Sequence, residues 1–376
     1  MIMRKQGKGG KLQNIWKNSL VLGTAMVVGA VLSVSAAAIE ITPALKKIVN
    51  AANKEGIIRI HMGASPIGRS SGVKAAENGI NKMFGTKIKL SFKPGPAYAA
   101  LGSKLLTEYQ AKQPASSDIY IATAIQLVPL LRKGLFTKVD WQGLFPERVQ
   151  PQMVEADGQV LRHYTSLPGV IYKKSMEAKV KKARTLEDFL KPDWKGKFWT
   201  TPYLAGFDVL IADEVWGAKK TENYVLRMSQ QIGGLLGCGA TSRIASGEMP
   251  VHLIDCSGSA AFSEKFKSLV GLHILKETAW RRYGYFAIPK NSRAKNAATL
   301  YALWYASKEG QESMRKHIGY DMTDHPESHF AQVIAGYIKQ GYNFRDVTID
   351  WWGAQKGVIK QHRKNIKLLR SKAKRK

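Results

Sequence analysis

At 376 residues, 44% hydrophobic and 23% charged, the chain has the make-up of an ordinary globular protein, with length enough for two lobes, each with its own core. That composition excludes a disordered chain, and two cysteines are too few for a disulfide scaffold. The formal net charge of +30 is unevenly spread: five charges sit in the first 17 residues and ten in 356–376, where no Asp or Glu occurs, which leaves about fifteen on the body between. An excess of that size steers anions inward without proving that the ligand is an anion.

The N-terminus reads as an export signal. Arg4, Lys5, Lys8, Lys11 and Lys17 have no acidic neighbour, residues 20–34 are almost wholly apolar, and Ser35-Ala36-Ala37-Ala38 offers small residues for cleavage. Residues 19–38 nearly span a bilayer, so an uncut anchor is the alternative. No Cys stands at the boundary, which argues against lipid attachment, and export without a lipid points to a periplasm.

Beyond the signal the period is that of an α/β protein. Leu45, Ile48, Val49 and Ala52 mark a first helix, with Pro43 suited to its first turn. Strands are expected at 57–62, 87–92 and 118–122, with helices at about 72–84 and 97–111. Their spacing of about thirty residues is that of a βαβ unit. Pro168-Gly169 then interrupts an extended apolar run, LRHYTSLPGVIYKK, and a second α/β region begins. There Thr185 is placed as an N-cap with Asp188 three residues on, a helix is expected at about 206–216 and a strand at 251–255. A strand-like run ends at Ile288-Pro289-Lys290. Asn291-Ser292 opens an amphipathic helix with Ala298, Leu300, Tyr301, Leu303 and Trp304 on its apolar side, and Ser307 to Gln311 closes it and begins another.

Cys238 and Cys256, 18 positions apart, form the simplest disulfide hypothesis for an exported chain, with two packed thiols as the alternative. Neither has a second ligand at zinc-like spacing. No Gly-x-Ser-x-Gly elbow, Walker loop or His-Glu-x-x-His is present, and Cys256-Ser257-Gly258-Ser259 lacks the glycines of a nucleophile turn. His325 and His329, four apart, read as surface histidines before they read as metal ligands. The basic end, VIKQHRKNIKLLRSKAKRK, reads as a solvated, frayed terminus, with a basic amphipathic helix for anionic lipid or nucleic acid as the alternative.

The stretch GLHILKETAWRRYGYFAIPKNSRAKNAATLYALWYASKEGQESM, together with Asp193-Trp194-Lys195-Gly196-Lys197, Thr200-Thr201-Pro202 and Gly247-Glu248, resembles the bacterial extracellular solute-binding proteins of ABC importers, in the group of ferric-ion, thiamine and phosphonate binders. The resemblance covers about 56–314. It implies a two-lobed α/β fold of the type II periplasmic-binding-protein class, each lobe a mainly parallel sheet flanked by helices, with a ligand cleft between. It implies capture of a small solute and delivery to an inner-membrane ABC permease by a monomer, with no catalysis, cofactor, metal or nucleic-acid partner. On this reading residues 1–38 are signal, 39–164 the first part of lobe one, 165–280 lobe two and 281–318 the return to lobe one. Residues 319–355 form C-terminal helices on the lobes and 356–376 the basic tail. The chain departs from the ferric-ion binders in having no Tyr-Tyr pair, and Tyr283 and Tyr285 would face opposite ways on a strand.

Ligands of open α/β sheets bind beyond the carboxyl ends of strands, at helix N-termini. That rule selects loops carrying Ser65 and Arg69, Thr123, Thr201 with Tyr203 and Asp208, and Ser257; simple helix capping is the competing role for each hydroxyl. Trp280, Arg281 and Arg282 lie where the chain returns between lobes, and are expected to offer a wall and a counter-charge. The expected solute is therefore anionic. Asp208 and Asp255 favour the alternative of a cation such as a polyamine if either faces the cleft unpaired.

Overall fold

The computed structural model describes residues 41–373, so the export signal expected at 1–38 lies outside the described residues. Helix α1 (Pro43–Glu55) is capped by Thr42, whose Oγ1 accepts from the Leu45 amide at 3.2 Å, and ends at Gly56 in the left-handed conformation. β1 (Ile57–Met62), α2 (Arg69–Phe84), β2 (Lys89–Pro94), α3 (Tyr98–Gln110), β3 (Tyr120–Thr123) and α4 (Ala124–Leu131) follow. β1 and β2 pair in parallel, with Ile57 opposite Lys89. Side chains extend this sheet where strand pairing stops. The Arg59 amide donates to Asp118 Oδ2 at 2.7 Å and the His61 amide to Ser117 Oγ at 3.1 Å, while Asp118 Oδ1 accepts from Ser292 Oγ at 2.8 Å. Asp118 is fully buried and ties the first strand to Ser292, 174 positions beyond Asp118 itself.

After the short α5 (Trp141–Leu144), strands β4 (Val154–Glu155) and β5 (Val160–Ser166) lead to Leu167-Pro168-Gly169, where the chain leaves one sheet for another. The second body contains β6 (Val170–Lys173), α6 (Glu177–Val180), β7 (Trp199–Thr200), α7 (Phe207–Leu210), α8 (Gly217–Gln231), β8 (Gly234–Leu235), α9 (Thr241–Ser246), β9 (Val251–His252) and β10 (Val270–His273). Its sheet runs β10-β6-β9-β7-β8. β11 (Trp280–Ala287) then returns and pairs with β5 along one edge. Its other edge meets β12 (Arg345–Val347) at Trp280–Arg282 and β3 at Gly284–Ala287. The fold is two-lobed α/β. Parallel pairing holds for β1–β2, β7–β8, β7–β9 and β11–β12, whereas β11 runs antiparallel to β5 and β3 and β6 antiparallel to β10 and β9, because a chain that crosses and returns reverses direction.

Several expectations change. The helix expected at 206–216 is the single turn α7, and the long helix is α8, whose buried Thr221, Tyr224, Val225 and Met228 keep helical spacing. The strand expected at 251–255 stops at His252, since Asp255 turns back to accept from the Ser257 and Gly258 amides. α10 (Lys295–Ala306) is buried on all sides from Ala297 to Ala306 instead of amphipathic, because α1, α2 and α11 (Lys308–His317) enclose it.

α12 (His329–Ile338) is capped by Ser328, so His325 precedes the helix and the two imidazoles do not share a face; His325 is buried and not a surface residue. α13 (Ile349–Ala354) packs on α4. Within the described residues the basic terminus is not frayed. It forms α14 (Val358–Ala373), which packs on α8 and α7 through Val358, His362, Asn365 and Leu369. Lys364 pairs with Glu222 of α8 at 2.9 Å, and Arg370 Nε donates to the Pro202 carbonyl at 2.8 Å.

One ion pair joins the returning strand to the second lobe. Arg282 on β11 meets Asp208 on α7 through two contacts, 2.8 and 3.3 Å, with both residues buried. Asp208→Ala would strand a buried guanidinium and should lower unfolding free energy by about 3–5 kcal/mol in denaturant titration. Adding Arg282→Met to Asp208→Leu should recover most of that loss; an equal loss in the apolar double variant would rule out the stranded charge as its source.

His163 lies among Tyr305, Tyr301, Phe286 and Tyr164, where burial pushes its pKa down to about 3. Burial, aided by Arg148, pushes His325 down to about 4. Both values lie below the unfolded value of about 6.5, so their contribution is full above that pH and is lost as pH falls toward the folded values, about 1.4 kcal/mol per pH unit for each. His163→Phe keeps the ring packing and should flatten the stability slope between about pH 6 and 4.5. The check is urea unfolding of both proteins across that range, and an unaltered slope would count against a neutral buried His163.

Candidate functional site

The hydroxyls expected to meet a ligand are mostly committed to their own loops. Ser65 opens a short 3-10 turn after β1. Thr123 caps α4, its Oγ1 donating to Gln126 Oε1 at 2.6 Å. Thr201 is fully buried and accepts from the Ala205 amide at 2.7 Å. Capping, the competing role, therefore holds for Thr123, and a similar local role for Thr201.

The expected counter-charges are also committed. Arg282 is held by Asp208, and Arg281 pairs with Asp346 at 2.5 Å, so neither guanidinium is available in the form expected. Trp280 is buried, with no hydrogen-bond partner for Nε1 among the described residues, and reaches Gly206 at the head of α7; it packs the crossing region. Arg69 differs. It is exposed, adopts φ +57° at the start of α2, and has no ion-pair partner among the described residues.

In the second lobe a disulfide joins Cys238 to Cys256, with Cα atoms 5.9 Å apart. Tyr203 lies over it: its hydroxyl accepts from the Cys238 amide at 3.0 Å and touches Cys256 Sγ. The Asp255 carboxylate accepts from the Ser257 amide at 3.1 Å and the Gly258 amide at 3.0 Å, with His252 Nδ1 3.4 Å away. Burial opposes its charge, yet these donors hold its pKa below the usual carboxylate value. Ser257 Oγ donates to Ser259 Oγ at 3.0 Å.

Around this loop the structure assembles a group that sequence reading did not mark. Tyr164 of β5 stacks on Tyr320 with ring centroids 4.2 Å apart and planes 8° from parallel. The Tyr164 and Tyr98 hydroxyls are 3.4 Å apart. Ser257 and Ser259 act on the Tyr320 hydroxyl and Tyr203 acts electrostatically on Tyr98. Burial, reinforced by neighbouring phenols, raises the pKa of Tyr98, Tyr164 and Tyr320, so all three stay protonated and can each donate one hydrogen bond. Gly319 sets the approach, since a Cβ there would come within 2.3 Å of the Ser259 carbonyl oxygen, and its φ is +83°. Tyr98 had a legible signal, because it opens the helix after β2, the strand whose following loop had not been selected. Tyr320 had none.

Among the described residues no group of three or more His, Cys, Asp and Glu is placed to hold a metal ion, and no helix is long and apolar enough to cross a membrane.

No curated protein matches this sequence. Solved structures match the fold. Iron-bound HitA from Pseudomonas aeruginosa aligns at TM-score 0.61 and 17% identity, over 84% of this chain and 99% of that one. AfuA from Actinobacillus pleuropneumoniae, with fructose-6-phosphate bound, aligns at TM-score 0.63 and 16% identity over the same shares. AgtB from A. tumefaciens R10, in complex with agropinic acid, aligns at TM-score 0.61 and 15% identity, over 83% and 99%. At these identities the likeness concerns the fold, that of two-lobed type II periplasmic binding proteins. The family model for bacterial extracellular solute-binding proteins matches residues 78–322, more than half of the chain. That span holds the second-lobe sheet and the crossing strands β5 and β11, and the chain belongs to the bacterial extracellular solute-binding proteins, the non-enzymatic substrate-binding components of ABC transporters.

Proposed function

We propose that the protein captures a small, oxygen-rich anionic solute in the periplasm, between its lobes, and delivers it to an inner-membrane permease. The observation that carries this reading is the internal neutralisation of both carboxylates that would have favoured a cation. Asp208 is matched by Arg282, and Asp255 by two backbone amides and His252. What remains around the Ser257 loop is a set of neutral hydroxyls on Tyr98, Tyr164, Tyr203, Tyr320, Ser257 and Ser259, which suits phosphate, carboxylate or sugar oxygens. The positive body adds long-range attraction.

Arg69 replaces Arg281 and Arg282 as the counter-charge in this reading. It follows Gly68, where a Cβ would lie 2.8 Å from His317 Cβ, so its backbone packs beside the segment that carries Tyr320. The loop of Ser65 lies just before it in sequence. Thr123 and Thr201 act by shaping their loops. α14 supports the same site from behind, through the Arg370 bond to Pro202 and through His362, which lies beside Asp208, Arg282 and the Tyr203 backbone.

Thermal-shift and calorimetric titration with fructose 6-phosphate, citrate and spermidine test the sign of the solute. Stabilisation by the anions and not by spermidine is expected, and stabilisation by spermidine alone would refute the reading. For an anion that binds, Arg69→Ala should raise Kd roughly tenfold to a hundredfold, the worth of a charge-assisted hydrogen bond. Tyr320→Phe should raise it about fivefold, the worth of a neutral one. Unchanged affinity in both variants would remove these residues from the site.

A further inference from the structure

We propose a second anion site, outside the lobe junction, in the groove between α4, α13 and α14, which takes a soluble anion bearing several phosphoryl groups. The groove has a volume of about 1070 Å³ and six cations on its lining, Arg132, Lys356, Lys360, Arg363, Lys364 and Lys367, with no Asp or Glu among the lining residues. This proposal does not depend on the identity of the transported solute.

The charge is placed by the packing of α14. Val358, His362, Asn365 and Leu369 face the protein at intervals of four, three and four residues, which fixes the opposite side of the helix outward. That side carries Lys360, Arg363, Lys364 and Lys367, all exposed, with Lys356 just before the helix. Lys360 and Lys364, like Arg363 and Lys367, are like charges one turn apart and repel each other. Lys364 is compensated by Glu222. Lys356, Lys360, Arg363 and Lys367 have no carboxylate partner among the described residues.

The opposite wall fits the same ligand chemistry. Arg132, at the end of α4, donates through Nη2 to the Gly353 carbonyl at 3.0 Å, which anchors the guanidinium at the mouth of the groove. Cations on two walls of a concave surface concentrate the field between them, a geometry suited to a compact polyanion more than to a flat bilayer. The apolar side of α14 is spent on the protein core, so the helix has no apolar face left to insert into lipid. Lys360 and Lys367 are separated by about 10 Å along the helix axis, a span that several linked phosphoryl groups can cover and a single phosphate cannot.

The test uses the full chain and sodium tripolyphosphate, by calorimetry at low and moderate salt. Binding that weakens as salt rises is expected, and the variant Lys360→Gln, Arg363→Gln, Lys367→Gln should lose affinity by roughly tenfold or more. These side chains are exposed and are not part of the lobe junction, and an unchanged melting temperature of the variant confirms that it folds. A second variant, Arg132→Gln, should weaken binding from the other wall. Equal affinity in wild type and both variants overturns the proposal. So does competition between tripolyphosphate and Arg69→Ala-sensitive ligands for one site, and so does binding to phosphatidylglycerol vesicles with none to tripolyphosphate.

Discussion

The buried pair between Arg282 and Asp208 constrains much of the rest of the structure. β11 is the strand that β3, β5 and β12 all share, and its Arg282 reaches out of that sheet into the first turn of α7. Two charges removed from water in this way are costly apart and tolerable together. The geometry is reinforced from the backbone, where Ser166 Oγ donates to the Arg282 carbonyl at 3.1 Å, so the outgoing and returning crossings are locked side by side. The charge of Arg282 is matched inside the protein by Asp208, and that of Arg281 by Asp346.

In the proposed reading, recognition at the lobe junction is shared between Arg69 and groups without formal charge. A stack of phenols beside a serine-rich turn is a rigid surface: two flat rings 4.2 Å apart lose little conformational freedom when a ligand arrives. The disulfide serves the same end, since it fixes the backbone amide that holds the Tyr203 hydroxyl. Donors arranged in advance cost less to use than flexible lysines, which suits a protein that must also release what it binds.

Much of the architecture was legible in the sequence because it rests on local pattern. β1 falls where its alternation placed it, and the thirty-residue spacing correctly announced a βαβ start. Pro168-Gly169 marked the point at which the chain changes sheets. The site was far less legible. Arg282 and Asp208 are 74 positions apart, Tyr164 and Tyr320 more than twice that, and no periodicity relates residues that meet only through tertiary packing. For the same reason the partners of Arg281 and Arg282 were not visible: their position in the crossing strand was legible, their pairing with Asp346 and Asp208 was not. The basic terminus failed differently. Its apolar residues were noted, but Asn365 and His362 look polar in sequence and are in fact part of its buried face.

α14 closes onto α7 and α8, elements laid down well over a hundred residues earlier in the chain. Until residue 369 has been made, the second lobe lacks Leu369 and Asn365 from its packed interior, and the Pro202 carbonyl lacks its arginine. That lobe consequently has an order of assembly written into it, with its last contacts supplied by the last helix. Without that helix the lobe is unfinished, and its exposed apolar seam costs free energy until α14 covers it. The completion of that lobe is thereby set by α14, a role separate from the binding of any solute.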